Sequence, residues 1–189
     1  AAAAECGADA VKLQKRDLPT WEALAPELWR SPYHSENAFG ATYGEHRAAL
    51  EFGRDEYREL QAFAEERGLL FFATAFDVPS LDFLVGLGVP AIKLASASIV
   101  NEQLLVAVGR AGIPAILSTG GATLGEIDAA ADVLWDESEP APLPFALLQC
   151  TATYPCQPAD MHLRVIGALR ERFEGTVIGL SDHQDGIAM

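Results

Sequence analysis

The sequence contains few cysteines, few basic residues and no long hydrophobic run. Its three cysteines, Cys6, Cys150 and Cys156, form neither a CxxC motif nor a Cys/His spacing typical of a metal site. This pattern excludes a disulfide-stapled miniprotein and predicts reduced thiols in a cytoplasmic protein. The longest apolar stretches, such as 69–75, are far shorter than the roughly 20 residues that span a bilayer. No charged-then-apolar signal segment opens the chain, so we expect a soluble protein.

Basic residues are outnumbered: 13 Lys and Arg stand against 27 Asp and Glu, for a formal net charge of −14. Such a surface repels nucleic-acid backbones and anionic membranes, which argues against either as a partner. An anionic ligand would have to be held by a few well-placed cations. With 189 residues, 50% of them hydrophobic, the chain is long and apolar enough for one sizeable core, which excludes a disordered tail.

Short apolar runs alternate with segments of helical periodicity, a pattern typical of parallel strands joined by helices. Strands are predicted at 8–14, 69–76, 91–96, 115–119, 145–150 and 176–181. Helices are predicted at 54–67, 80–87, 101–111, 123–134 and 161–173. The segment 15–53 is predicted to be one long irregular insertion, and such loops are usually lids or binding loops.

The spacing of the strand-end hydroxyls favours a barrel. Thr74, Ser96 and Ser118 follow one another at intervals of 22 residues, a short β-α unit. Complete (β/α)₈ barrels have about 250 residues, so we predict an incomplete TIM barrel over 1–189 that lacks its first strand and its C-terminal part. The absence of an initial Met and the abrupt last residues lead to the same expectation. An open doubly wound sheet is the alternative, but the first β-α turn lacks a GxGxxG loop.

Two lysines are candidates for an anion site. Lys12 and Lys93 lie within otherwise apolar strands, where an unpaired ammonium is unfavourable, so each needs an anionic ligand or an internal carboxylate partner. Both readings are open from the residues alone. Together with strand-end hydroxyls they predict a site for a phosphate and a carboxylate, as in phosphoenolpyruvate. These hydroxyls belong to Thr74, Ser96, Ser118 and Ser181.

The remaining candidates are more ambiguous. His183 follows a strand directly, which suits a metal ligand or an acid/base, although a structural histidine is equally compatible. The Glu45-His46-Arg47 triplet precedes a helical run, and we favour a structural role for it. No histidine stands at nucleophile-pair spacing from Cys150 or Cys156, so both are interpreted as inert packing thiols. The Tyr154 hydroxyl could face the predicted pocket.

Read together, several segments closely resemble the sialic acid synthase family, the N-acetylneuraminate synthases and their relatives. They are GADAVKLQ (7–14), YGEHR (43–47), ILSTG (116–120), LLQCT (147–151) with Tyr154-Pro155, and GLSDH (179–183). The resemblance is collinear over nearly the whole chain. It implies a (β/α)₈ barrel enzyme that condenses phosphoenolpyruvate with an open-chain N-acylated hexosamine, releasing inorganic phosphate. It also implies a divalent ion, Mn²⁺ or Mg²⁺, bound by two histidines.

Matching positions to the family's motifs assigns roles to individual residues. The resemblance implies that Lys12, Lys93 and Tyr154 are catalytic, that His183 is the first metal ligand, and that Gln14 and Tyr154 lie on the sugar side. The implied phosphoenolpyruvate contacts are Lys12, Thr74, Lys93, Ser96, Ser118 and Ser181.

The chain also departs from the family pattern. Ser98 occupies a position that is often acidic in the family and contacts the hexosamine, which leaves the acceptor sugar open. The first strand, a second metal histidine and the C-terminal antifreeze-like domain of the homodimeric full-length protein are expected to lie outside this chain. We therefore expect the fragment alone to be inactive.

The leading function is sialic acid synthesis from N-acetylmannosamine or its 6-phosphate. The alternatives are synthesis of another nonulosonic acid of legionaminic or pseudaminic type, a different barrel phosphoenolpyruvate aldol enzyme, a Schiff-base aldolase using Lys93, or a non-catalytic barrel remnant.

Overall fold

The structure is a computed structural model of the chain that describes residues 1–138 and 143–186. The chain divides into two compact units, Ala1–Val89 and Pro90–Met189. The strand pairings given for each unit are parallel and helices connect the strands, so the fold class is α/β as predicted. Among the described residues, no helix is long and apolar enough to cross a membrane.

The first unit consists of two parallel strands and the helices around them. In chain order its elements are α1 (Ala2–Glu5), β1 (Ala10–Lys15), α2 (Leu18–Leu24), α3 (Pro26–Arg30), α4 (Tyr43–Leu50), α5 (Arg54–Glu65), β2 (Leu70–Ala75) and α6 (Val78–Val85). Strands β1 and β2 pair from Ala10 opposite Leu70 to Lys15 opposite Ala75. Their carboxyl ends therefore lie side by side.

Helix α5 fixes the carboxyl end of β1. Its charged residues face solvent, whereas Tyr57 and Ala64 are buried and the helix packs against β2. The Tyr57 hydroxyl donates a hydrogen bond of 2.8 Å to the backbone oxygen of Gln14. Its ring meets Phe71 and Phe83 edge-on, with centroids 5.9 and 5.2 Å away. The last residues of β1 are thus held by a helix distant in sequence.

The prediction that 15–53 is irregular was wrong, because this segment contains helices α2, α3 and α4. These helices are only 7, 5 and 8 residues long, too short for a hydrophobic period to be visible in the sequence. Helix α4 begins with a capping box, in which Thr42 accepts from the Glu45 backbone N–H and the Glu45 carboxylate accepts from the Thr42 backbone N–H. The structural role predicted for Glu45 is confirmed.

The second unit continues with β3 (Ile92–Leu94), α7 (Glu102–Ala111), β4 (Ala115–Ser118), α8 (Leu124–Asp136), β5 (Phe145–Cys150), α9 (Val165–Arg172) and β6 (Val177–Ser181). Short 3-10 helices occupy Ser96–Ser98 and Pro158–Asp160. Within this unit each strand pairs in parallel with the next, so the order is β3-β4-β5-β6. Strand residues Leu94, Leu117 and Leu147 are fully buried. Helices α7 and α8 pack against each other and contribute buried residues of their own to the core.

All the predicted strands are confirmed, because buried parallel strands appear in a sequence as continuous apolar runs. Strand β3 is shorter than predicted, since the 3-10 helix begins at Ser96. Helix α9 starts later than the predicted residue 161, at Val165. The delay has a backbone cause: His162 adopts a φ of 48°, in the left-handed region, which interrupts a right-handed helix.

Candidate active site

Lys93 is a partly buried cation without a carboxylate partner in the described part of the chain. It is the middle residue of β3, between the fully buried Ile92 and Leu94. No hydrogen bond or ion pair from its ammonium reaches any of residues 1–138 or 143–186. Burial lowers the pKa of Lys93 below its ordinary value of 10.5, an effect that the Cys150 thiol partly offsets. Of the two readings left open for Lys93, the geometry favours an anionic ligand over an internal ion pair.

Two serine hydroxyls belong to neighbouring strands. Ser118 ends β4 and is 1% exposed, yet its Oγ has no hydrogen-bond partner in the structure described. A buried hydroxyl without a partner is unfavourable unless a ligand or water completes it. Ser96 follows β3, and its Oγ accepts a 3.0 Å bond from the Gly120 backbone N–H, which leaves its own hydrogen to donate. Both hydroxyls can therefore donate to an anion.

Gly120 allows this close approach of the loop after β4. A Cβ at this position would lie 2.9 Å from the Ser96 Oγ and 3.1 Å from the Cys150 backbone oxygen. A side chain would push apart the loops that carry Ser96 and Cys150. The glycine of the ILSTG segment is thus required by packing at the strand ends.

His183 and Tyr154 lie beside Cys150, which is itself close to Gly120 at the strand ends. The His183 Nδ1 lies 3.3 Å from the backbone oxygen of Thr151 and 3.9 Å from the Cys150 Sγ, so the neutral ring donates to Thr151 in one tautomer and accepts from the thiol in the other. The Tyr154 and His183 ring centroids are 4.2 Å apart. Burial raises the pKa of the Tyr154 hydroxyl, and the nearby Cys150 thiol raises it further. Ser181, at the end of β6, lies opposite Cys150 in the strand register.

Sequence spacing offers no histidine partner for Cys150, yet the fold brings the Cys150 Sγ to 3.9 Å from the His183 Nδ1. These residues are 33 positions apart in the sequence, so spacing could not reveal the pair. Cys150 and Cys156 are both buried, as expected of packing thiols.

The described residues do not form a metal centre. No group of three or more His, Cys, Asp or Glu side chains suited to one metal ion occurs among them. The His183 Nδ1 lies within hydrogen-bond distance of the Thr151 carbonyl, a contact of the kind that orients metal-ligating imidazoles, in which Nε2 would face the metal. One imidazole cannot hold a divalent ion by itself.

In the first unit, the Lys12 ammonium donates to the Thr74 hydroxyl at 3.1 Å and to the Leu13 backbone oxygen at 3.4 Å. Thr74 is buried, but Lys12 is exposed, unlike the enclosed lysine that its apolar strand predicted. Gln14, two residues further along β1, is also exposed. The fold therefore places Lys12, Gln14 and Thr74 on the paired strands β1 and β2.

The sequence reading missed a pocket beside Gln14. This cavity, of about 190 Å³, includes Arg16 from the segment after β1 and Arg47 from α4 among its lining residues. Also lining it are Leu13, Gln14, Leu50, Glu51, Phe52 and Tyr57. Arg47 belongs to the YGEHR segment, whereas nothing in the local sequence distinguishes Arg16.

His46 of the same segment has a structural environment. It is buried, its ring stacks on Tyr33 with centroids 4.3 Å apart, and its Nδ1 accepts a 3.2 Å bond from the Phe39 backbone N–H. The structural role predicted for this histidine is confirmed.

Comparison with known proteins places these sites in a family. A model of the NeuB family matches residues 1–189. The chain belongs to the NeuB family. Among curated proteins, this NeuB-family chain is 38% identical over 187 residues to the N-acetylneuraminate-9-phosphate synthase of Homo sapiens, covering 99% of the chain and 50% of that protein. It is 34% identical over 188 residues to the N,N'-diacetyllegionaminic acid synthase of Legionella pneumophila, covering 98% of the chain and 52% of that protein.

Solved structures agree with the family assignment. The NeuB-family chain matches the sialic acid synthetase of Leptospira borgpetersenii, crystallised with citrate, at a TM-score of 0.79 and 34% identity, over 98% of this chain and 58% of that one. A DAHP synthase of Thermotoga maritima matches at a TM-score of 0.59 and 14% identity, over 89% and 42% of the two chains, which shows the fold alone. The chain spans about half the length of the curated relatives it matches.

Proposed function

We propose that this chain carries substrate-binding and catalytic residues of a synthase that joins phosphoenolpyruvate to N-acetylmannosamine or its 6-phosphate. The products are N-acetylneuraminate, or its 9-phosphate, and inorganic phosphate. In this reaction C3 of the enolpyruvate attacks the aldehyde carbon of the open-chain sugar. Water adds at C2, and phosphate leaves from that carbon. The similarity to N-acetylneuraminate-9-phosphate synthases supports this reaction over others.

The observation that carries the proposal is Lys93 together with Ser118. The half-buried Lys93 ammonium has no carboxylate partner among the described residues. On the adjacent strand, the buried Ser118 hydroxyl has no hydrogen-bond partner. Together the two groups are the electrostatic complement of a phosphate or carboxylate. Bound phosphoenolpyruvate would satisfy both groups at once. This explains why a chain with a net charge of −14 keeps these groups without a protein partner.

The other residues act around this pair. Within the second unit, Ser96 and Ser181 donate hydroxyl hydrogens to the same anion, and Tyr154 contacts the acceptor sugar. Within the first unit, Lys12, whose ammonium donates to Thr74, has the role of a phosphoenolpyruvate contact and Gln14 that of a sugar contact, as the resemblance implies. Tyr154 suits this role because its high pKa keeps the hydroxyl protonated and able to donate at neutral pH. His183 would be one ligand of a divalent ion, Mn²⁺ or Mg²⁺, with the other ligands supplied from outside the described residues.

We also propose a (β/α)₈ barrel as the architecture of the protein that contains this sequence. The described strands belong to a (β/α)₈ barrel, because successive β-α units deliver their polar residues to the carboxyl ends of strands, where barrel enzymes bind substrate. The match to a solved sialic acid synthetase supports this architecture. We extend the proposal to a cytoplasmic, homodimeric enzyme.

The test is phosphate release from phosphoenolpyruvate with Mn²⁺ in the full-length protein that contains this sequence. N-acetylmannosamine, its 6-phosphate and a no-sugar control are compared. Release that requires one of the two sugars supports the proposal and identifies the acceptor. Phosphoenolpyruvate binding without release for either sugar would instead indicate a different acceptor, with Ser98 as the first residue to examine. Absence of phosphoenolpyruvate binding would contradict the proposal and favour a non-catalytic remnant.

Synthesis of a legionaminic-type acid is the second candidate. It is favoured by Ser98, a small buried residue where the resemblance implies an acidic sugar contact, and by the similarity to legionaminic acid synthases. Repeating the phosphate-release assay with a diacetylated hexosamine separates this function from the first.

A further inference from the structure

Arg16 and Arg47 line one pocket without a carboxylate partner. Neither guanidinium forms an ion pair with any described residue, although acidic residues outnumber basic ones by 27 to 13. Burial lowers the pKa of Arg16 and the positive charge of Arg47 lowers it further, an effect that the Glu51 and Asp77 carboxylates offset only in part. The two arginines therefore repel each other across a shared cavity, an arrangement that an anion would relieve.

The Arg16 guanidinium is held in place by its neighbours. Its Nη1 donates a 3.1 Å bond to the Gln14 side-chain oxygen, and the group lies 3.6 Å above the Phe76 ring centroid. Its Nε and Nη2 donate to no protein atom in the described structure. Arg16 is thus oriented while part of its donor set is still available.

Arg47 is positioned in the same way. Its Nε donates a 2.9 Å bond to the Tyr43 hydroxyl, which leaves both terminal nitrogens without a protein acceptor among the described residues. Helix α4 is itself fixed against Trp29, because a Cβ on Gly44 would lie within 2.4 Å of the indole nitrogen. The terminal nitrogens of a guanidinium form a fork that matches the oxygens of a phosphate.

The carboxylate that lines the pocket is already neutralised. Glu51 accepts a 3.1 Å bond from the Lys15 ammonium, and both side chains of this pair are largely buried, at 9% and 13% exposure. Lys15 also donates to the Phe52 backbone oxygen at 2.8 Å. Glu51 and Asp77 also attract Arg16 at longer range, but the pocket lining itself carries two arginines and one carboxylate, and that carboxylate is bonded to Lys15.

We propose that Arg16 and Arg47 form a subsite for the phosphate monoester of a phosphorylated acceptor sugar. This inference rests on the proposed function, which places Gln14 on the sugar side, and Gln14 is the residue to which Arg16 is bonded. A phosphate monoester at neutral pH carries close to two negative charges, which two guanidinium groups can balance. The subsite selects N-acetylmannosamine 6-phosphate over the free sugar.

The experiment uses the full-length protein with Arg16→Gln, Arg47→Gln and the matched control Arg30→Gln. Arg30 is an exposed arginine at the end of α3 that lies outside the pocket. KM is measured for N-acetylmannosamine 6-phosphate, N-acetylmannosamine and phosphoenolpyruvate by phosphate release. Binding of each ligand is measured by calorimetry, and circular dichroism checks that each variant is folded.

Arg16→Gln and Arg47→Gln are each expected to raise the KM for N-acetylmannosamine 6-phosphate by about tenfold or more. Each variant loses one guanidinium group that can bond to the phosphate oxygens. The KM for phosphoenolpyruvate should stay within about twofold of wild type in both pocket variants and in Arg30→Gln. Use of the free sugar should also stay within about twofold in Arg47→Gln and Arg30→Gln, whereas Arg16→Gln also removes the bond to Gln14. Arg47→Lys, which keeps the charge without the fork, should fall between wild type and Arg47→Gln.

Other outcomes overturn the subsite. If the pocket variants raise the KM for phosphoenolpyruvate instead, the pocket serves that phosphate and the reaction still stands. If wild type does not distinguish the phosphorylated from the free sugar, the inference is wrong. If no sugar supports phosphate release, calorimetry distinguishes the two proposals. Binding of N-acetylmannosamine 6-phosphate that depends on Arg16 and Arg47 would support the subsite while overturning the proposed reaction. Absence of that binding would overturn both the subsite and the reaction.

Discussion

Replacement of Lys93 by methionine is expected to stabilise the fold while abolishing activity. The methionine side chain has nearly the length of lysine and carries no charge, so it can occupy the same half-buried position on β3. Since no described residue pairs with the Lys93 ammonium, its removal deletes an uncompensated desolvation cost. We expect a gain of about 1 kcal/mol in the free energy of unfolding without ligand, which raises Tm by about 2–4 °C in a protein of this size.

The pH dependence gives a second readout. The folded protein holds Lys93 at a lowered pKa, so the unfolded chain binds more protons in the window between that lowered pKa and the ordinary value of 10.5. Wild-type stability gains on the methionine variant as the pH rises through this window. The stability difference between the two proteins should therefore shrink toward pH 10.5.

Lys15→Met is the matched control, for which we expect a decrease in the free energy of unfolding instead of a gain. Lys15 forms a largely buried ion pair with Glu51, so its removal leaves a buried carboxylate without its cation. A loss of about 3 kcal/mol is expected. Thermal unfolding by circular dichroism measures both variants, and phosphate release measures activity. A Lys93→Met variant that unfolds at a lower temperature than wild type would refute the reasoning, because its ammonium would then have a stabilising partner.

Three further predictions concern the second unit. Ser118→Ala should leave the free energy of unfolding within about 0.5 kcal/mol of wild type, since its hydroxyl has no hydrogen-bond partner among the described residues. The same variant should raise the KM for phosphoenolpyruvate about tenfold. An unchanged KM would show that Ser118 does not contact this substrate. Gly120→Ala should destabilise the fold by about 1–3 kcal/mol because its Cβ would meet Ser96. Gly125→Ala, whose Cβ would enter open space on α8, should stabilise the fold by up to about 1 kcal/mol. Equal melting temperatures for these two variants would contradict the packing argument. Calorimetry on this 189-residue chain should show Mn²⁺ binding weaker than micromolar, because His183 lacks companion ligands among the described residues; micromolar affinity would show that they exist.

Local sequence patterns predicted most of the fold. The strands appear as continuous apolar runs because both of their faces are covered, and α5 appears as a helix because its twelve residues span enough turns to show an amphipathic period. Helices α2, α3 and α4 were missed because a helix of one or two turns shows no period. The late start of α9 was missed because it depends on the single backbone angle of His162.

The residues of the candidate site also differ in whether the local sequence could reveal them. The apolar neighbours of Lys93 in the sequence identified it as a lysine that needs an anionic ligand or an internal carboxylate, and left the choice between the two open. The Cys150–His183 contact and the Arg16–Arg47 pocket were not recognisable, because each joins segments that are far apart in the chain. Lys12 had the same apolar context as Lys93, yet it is exposed and bonded to Thr74.

The sequence alone therefore determined the α/β class, the positions of the strands, the acidic surface and the resemblance to sialic acid synthases. These properties depend on residue order and composition, which short-range patterns record. Only the tertiary structure decided which charges are paired and which hydroxyls lack a partner. Burial and hydrogen bonding of Lys93, Ser118 and Arg16 depend on side chains brought together by packing, and no local pattern encodes that arrangement.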